Sequence, residues 1–179
     1  VYKRQTMAAQ YFGGTSPIPA GWVNPDNADY AYNYEEWSPE LQAEYSYDPE
    51  RAKSLLEEAG YPNGFSFTVL VGSNEDVSVL EILKAYFSAI GVEMSIDVQD
   101  PTTAQNLAAA KNYEAYWTKN TASGAIPATM VRMDYSTAST NYVQANDPEF
   151  DALCDELGAA TTEDDIKRLC TACDQYVLE

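Results

Sequence analysis

No histidine occurs in the 179 residues. Without an imidazole the chain cannot build a Ser-His-Asp or Cys-His nucleophile, nor a zinc site with His ligands. Cations are scarce too: ten Lys and Arg stand against 28 Asp and Glu, a formal net charge of −18. Such a field repels nucleic-acid phosphates and anionic membranes, so neither is expected as a partner. The acidic residues are spread along the chain and read as a solvated surface, compatible with a cationic ligand. No apolar run approaches the ~20 residues of a membrane span, and no signal peptide is visible. The chain begins at Val1 rather than Met, and "VYKRQTMAAQYFGG" already reads as a helix. An excised piece of a longer protein is therefore expected, so a missing targeting signal says little about compartment. The length suits one domain or one lobe, and 45% hydrophobic residues suffice for a core.

Cysteine is limited to Cys154, Cys170 and Cys173. Cys170-x-x-Cys173 invites a redox or metal reading, but the pair shares a helical pattern with Ile166, Leu169 and Val177. Cys154 shares another with Phe150, Leu153 and Leu157. Small core residues on two consecutive helices are the first reading. A disulfide from Cys154 to one of the others, or metal or redox chemistry, are the alternatives. "NPDNADY" is rich in carboxylates but lacks the spacing and glycine of a calcium loop, so no metal is expected.

The segment "YDPERAKSLLEEAGYPNG" carries its own start and stop signals. Asp48 is a good N-cap, Pro49 suits the first helical position, and Glu50 complements the helix dipole. Ala52, Leu55, Leu56 and Ala59 fall on one face. Gly60 and Pro62 end the helix, and Asn63-Gly64 is a turn pair. Residues 16–47 precede it, loop-rich, with four prolines, two tryptophans and many tyrosines. That composition predicts an ordered surface loop rather than disorder. Trp22 and Trp37 read as anchors for it.

After the helix the period changes. "FSFTVLV" alternates Phe65, Phe67, Val69 and Val71, a strand. Val79, Leu80, Leu83, Phe87 and Ile90 form a helical stripe ending at Gly91. "EMSIDVQ" alternates again, with Met94, Ile96 and Val98 inward, and its polar side predicts an edge strand or a partly open face. A short helix starting near Thr102 or Thr103 and a third strand, "YEAYWT", follow. This β-α-β-α-β order predicts an α/β fold with a parallel sheet joined by right-handed crossovers. Asp147-Pro148-Glu149 repeats the earlier cap, and Thr162 with Asp165 resembles a capping box, so two further helices close the chain.

Taken in order, "SPIPAG", "YDPERAKSLLEEAGYPNGFSFTVLV", "FSAIGVEMSIDVQD", "YEAYWT" and "NYVQANDPEFDALCDEL" resemble the C-terminal lobe of extracellular solute-binding proteins of the family 5 type. That family includes the oligopeptide-, dipeptide- and nickel-binding receptors of ABC importers. The resemblance runs from about Gln5 to Glu179. It implies that residues 1–179 are a single α/β lobe of a two-lobed, venus-flytrap periplasmic binding protein. The lobe is a βαβαβ parallel sheet with additional C-terminal helices. It also implies an extracytoplasmic location, in the periplasm or lipid-anchored at the cell surface. The partners implied are a small-molecule or peptide ligand, the N-terminal lobe of the parent protein, and ABC permease subunits.

In open α/β sheets ligands sit beyond the carboxyl ends of the strands. That rule points to Trp117, which either stacks on ligand or packs at the strand end, and to the loop after it. In peptide-binding relatives the position three residues after the tryptophan is an aspartate that pairs with the peptide's α-ammonium. Here it is Asn120, with Ser123 just beyond. Asparagine offers a carbonyl without charge, a loss of roughly 1.5–3 kcal/mol for an ammonium. A sugar, a blocked peptide or another polar organic ligand then gains ground, or Asp134 takes over the role. Tyr142 completes the candidate set. No cofactor and no catalytic residue are expected. Glu35-Glu36 and Asp164-Asp165 are sequence neighbours that read as surface charge rather than a facing catalytic dyad. A sensor or adhesion module built on the same lobe is the alternative function.

Overall fold

The computed structural model describes residues 4–14, 20–118, 127–139 and 141–179. The helices are α1 (Arg4–Gln10), α2 (Pro39–Glu44), α3 (Pro49–Glu58), α4 (Val77–Ser88), α5 (Pro101–Ala109), α6 (Pro127–Met130), α7 (Pro148–Ala159) and α8 (Glu163–Leu178). The strands are β1 (Ser66–Gly72), β2 (Glu93–Gln99) and β3 (Ala115–Trp117). The chain divides into two compact units, one of Val1–Thr6 with Ser46–Asn120, the other of Met7–Tyr45 with Thr121–Glu179.

The first unit holds the sheet. β1 pairs in parallel with β2 from Ser66↔Glu93 to Gly72↔Gln99, and with β3 from Val69↔Ala115 to Val71↔Trp117. The order is therefore β2-β1-β3, with β1 central and β2 the expected edge. Phe87 of α4 meets Phe67 on one face of β1, ring centroids 5.5 Å apart. On the other face Gly72 lies against the start of α5. Successive crossovers thus cover opposite faces, as right-handed connections on either side of a central strand require. Val71, Leu80, Val92, Met94, Ala104 and Ala108 are buried.

Three details differ from the sequence reading. The alternation points Val98 inward, but it is 47% exposed, because β2 has no neighbour on its outer side among the described residues. α3 is capped as read, with the Arg51 N–H donating to Asp48 Oδ1 at 2.8 Å, yet it buries no residue and its Leu55 is 48% exposed. β3 is shorter than "YEAYWT". The Glu114 carboxylate accepts the Thr68 N–H at 2.6 Å, one residue before the β1–β3 pairing begins at Val69. A side chain there satisfies a strand donor that a longer β3 would have met with a carbonyl.

The second unit is helical. α7 and α8 form a hairpin whose core contains Phe150, Cys154, Leu157, Leu169, Cys170 and Cys173, joined by Val23, Ala31 and Val131. Asp147 caps α7 through the Glu149 and Phe150 N–H groups, at 3.0 and 3.2 Å. Thr162 caps α8 through the Asp165 N–H, but its hydroxyl also donates to the Asp165 carboxylate at 2.6 Å. That arrangement replaces the reciprocal capping box. Residues 20–45 carry two 3-10 turns, Pro25–Tyr30 and Tyr34–Glu36, and α2. Trp37 is buried with Leu41 and Leu178, and its indole N–H donates to the Tyr32 carbonyl at 2.9 Å. It is an anchor, as read.

Candidate functional site

The strand order sets the position of the site. From β1 the chain crosses one way to β2 and then back past β1 to β3, so the direction of winding reverses between β1 and β3. Ligands of open α/β sheets bind outside the carboxyl ends of the strands at such a switch point. Here those ends are in register, Val71 beside Trp117. Trp117 is half-buried. The turn after β1 is fixed by backbone bonds, Ser73 N–H to the carbonyl of Gln99 at the end of β2 at 2.8 Å and Glu75 N–H to the Gly72 carbonyl at 2.9 Å. Asn120 and Ser123 lie outside the described residues.

Asp134 and Tyr142 belong to the second unit, and both are half-buried. Burial pushes the Asp134 carboxyl above the usual carboxylate range. Among the described residues it has neither a hydrogen-bond nor an ion-pair partner, so it is a carboxylate held without a counter-charge.

One organising residue escaped the sequence reading. Asn141 is buried, donates from Nδ2 to the carbonyls of Ser136 and Ala145 at 3.2 and 2.8 Å, and accepts the Ala145 N–H at 2.9 Å. Ser136 in turn takes its N–H to Asp151 at 2.9 Å, and its hydroxyl accepts the Asp147 N–H at 3.3 Å. These bonds tie the segment bearing Tyr142 to the start of α7. The only signal in the sequence was an asparagine, a residue whose side chain mimics backbone in turns.

A groove of about 450 Å³ lies elsewhere in the first unit, lined by Thr68, Leu70, Asp97, Leu107, Lys111 and Glu114. Its carboxylates are already engaged, Glu114 by the Thr68 N–H and Asp97 by the Gln99 amide at 2.6 Å. It also sits beside the middle of β1 rather than beyond its end. The switch point is the stronger candidate. No group of three or more Cys, Asp or Glu stands together as a metal site among the described residues.

Residues 2–142 match the family described as bacterial extracellular solute-binding proteins, family 5 middle. The chain belongs to that family. Over 99 residues, 54% of the chain, it is 35% identical to the glutathione-binding protein GsiB of Salmonella typhimurium and 34% identical to that of Escherichia coli. It spans 18% of the length of those relatives. The fold is that of solved periplasmic binding proteins. DppA of Helicobacter pylori in complex with the peptide STSA superposes with a TM-score of 0.78 at 20% identity, over 99% of this chain and 34% of that one. The unliganded open form of MppA, a periplasmic murein tripeptide-binding protein, gives 0.81 at 18% identity, over 98% and 34%. NikA of Staphylococcus aureus in complex with Ni(L-His)2 gives 0.79 at 16% identity, over 99% and 37%. A family 5 solute-binding protein is thus built here on a mixed α/β scaffold with a parallel sheet. None of its helices, among the described residues, is long and apolar enough to cross a membrane.

Proposed function

We propose that this chain supplies one lobe of the extracytoplasmic substrate-binding component of an ABC importer. The ligand is peptide-like or another small polar organic molecule, enclosed between this lobe and a second one, and handed to the permease. The observation that carries the reading is the β2-β1-β3 order with Val71 beside Trp117, which sets an aromatic residue at a switch point in a chain of this family.

Trp117 offers the stacking surface, and Asn120 and Ser123 the neutral polar contacts. In the second unit Asp134 and Tyr142 are separate candidates, a carboxylate and a phenol. A carboxylate without a counter-charge gains most from a ligand ammonium, so an amine-bearing ligand is favoured. Thermal-shift and calorimetric titration of the parent protein against peptides, sugars and polyamines tests this. The expected result is one responsive class, with Trp117→Ala weakening it. For an amine ligand, Asp134→Asn should weaken binding roughly 10- to 150-fold, the worth of a hydrogen bond to a charged group. Binding untouched by both substitutions would move the site elsewhere. Hydrolysis of the ligand would contradict a transport role.

A further inference from the structure

The three thiols are buried to zero exposure in one cluster, yet they are not equivalent. α7 and α8 are joined by only three residues, and contacts between them descend α8 as they climb α7. The Tyr176 hydroxyl donates to Asp147, Phe150 stacks on Tyr176 at 5.7 Å, and Glu156 meets Arg168 at 3.4 Å. The hairpin is therefore antiparallel. Four residues on from Phe150 in α7 and three back from Tyr176 in α8, the seam brings Cys154 to Cys173. Both thiols lie in the same fully buried core cluster, and each is the largest influence on the other's ionisation. Cys170 lies one turn further along α8. A bond from it to Cys173 would have to form inside a regular 16-residue helix. Side chains three apart there have Cβ atoms roughly 5–6 Å apart, beyond the ~3.5–4.5 Å that a disulfide spans.

We propose that Cys154 and Cys173 are a disulfide site, oxidised to a cross-link that staples α7 to α8 while Cys170 remains a free thiol. The extracytoplasmic location proposed above supplies oxidising surroundings, but the chemistry does not depend on which ligand the protein takes. The oxidant is an external disulfide. One protein thiolate attacks it, forming a mixed disulfide and expelling one small thiol. The second protein thiolate attacks the mixed disulfide and expels the other. One external S–S bond breaks, one protein S–S bond forms, and the two thiol protons leave with the two reduced small thiols. The thiolate is the attacking species: Cys154 holds the Cys173 thiol below its usual value while its own is raised, so Cys173 attacks first, and burial pushes the bystander Cys170 up to about 11. Both sulfurs are fully buried, so an external disulfide reaches them only during folding or when the hairpin opens.

The test is oxidative refolding. The full chain is reduced and unfolded, refolded with 2-hydroxyethyl disulfide, alkylated under denaturing conditions, and cut with trypsin. Cleavage after Arg132, Lys167 and Arg168 leaves Cys154 in peptide 133–167 and the other two cysteines in peptide 169–179. The expected product is these two peptides joined, with fragmentation placing the alkyl group on Cys170. Cys170→Ser should still form the join and Cys173→Ser should not. The oxidised chain should melt roughly 5–10 °C above the reduced one. Three alkylated cysteines, a bond inside 169–179, a join through Cys170, or no rise in melting temperature would overturn the proposal. Because fragmentation of the unsubstituted chain locates the bond, the result stands even if a variant fails to fold.

Discussion

Gly21 lacks a side chain because Asp174 occupies the space one would need: a Cβ there would collide with the carboxylate. Asp174 is fully buried, and it accepts the N–H groups of Val23 and Tyr32 at 3.1 and 3.0 Å, with Trp22 adding a third. Burial raises its carboxyl above the ordinary range, and the three donors pull it back. One carboxylate on α8 thereby fixes the path of residues 21–32. The reading of acidic residues as solvated surface fails here, although a clue was available. Asp174 lies on the same stripe of α8 as Leu169, Cys170, Cys173 and Leu178, the residues that face the core. Asp174→Ala strands these donors, of which the Val23 N–H is fully buried, a cost of about 2–3 kcal/mol at ~1 kcal/mol each. Gly21→Ala alone should cost about 1–3 kcal/mol by overpacking. In the Asp174→Ala background the added methyl fills the vacated space, so the second substitution should become nearly neutral. Chemical denaturation of the four chains measures the coupling, and simple additivity would contradict this packing.

At the scale of elements, the helix starts were the most legible feature, because an N-cap is local chemistry. Asp48-Pro49-Glu50 and Asp147-Pro148-Glu149 both begin helices where read. Asp100-Pro101 obeys the same grammar, its carboxylate accepting the Thr102 and Thr103 N–H groups at 3.0 and 3.3 Å, but no acidic residue follows to mark it. The pattern alone puts that start one or two residues late, at Thr102 or Thr103. β3 was overextended because Tyr113 and Glu114 have the alternating look of a strand, while what ends the pairing is a contact with Thr68, 46 positions away. The Asp147 cap carries a pH prediction. The Phe150 N–H, then the Tyr176 hydroxyl and the Glu149 N–H, hold its carboxyl below the usual range. A lowered folded value means that the cap's stabilisation is complete above the ordinary carboxylate value, ~3.9, and is lost as pH falls through the lowered one. Asp147→Asn keeps an oxygen for the cap but no titration. The gap in melting temperature between the two chains should hold from pH 7 to 5 and shrink below pH 4. A gap that widens on acidification would reverse the assignment.

At the scale of the whole molecule, the sequence carried the parallel sheet in its period but not the strand order, because adjacency depends on contacts between distant residues. Trp117 was legible as a rim residue once "YEAYWT" was read as a strand; its register with Val71 was not. Nor was the buried role of Asn141, which depends on partners five and four residues away that no period marks. Net charge is legible without any fold, and it decides how salt acts. Pairing every basic residue with one carboxylate would still leave 18 carboxylates over. Most of the ion pairs described are exposed, Arg51–Glu58 at 3.3 Å and Arg168–Glu156 at 3.4 Å among them. Exposed pairs contribute only about 0–1 kcal/mol each, whereas the excess charge repels itself throughout the folded chain. Between about 0.01 M and 1 M sodium chloride the Debye length falls from about 30 Å to about 3 Å, which screens both effects. The repulsion is the larger, so the melting temperature at pH 7 should rise with salt, steeply at first and then level. Circular dichroism over a salt series checks this. A fall would mean that the surface pairs outweigh the excess charge, and neutralising Lys167, bonded to both Asp29 and Glu163 at 3.1 Å, should then remove it.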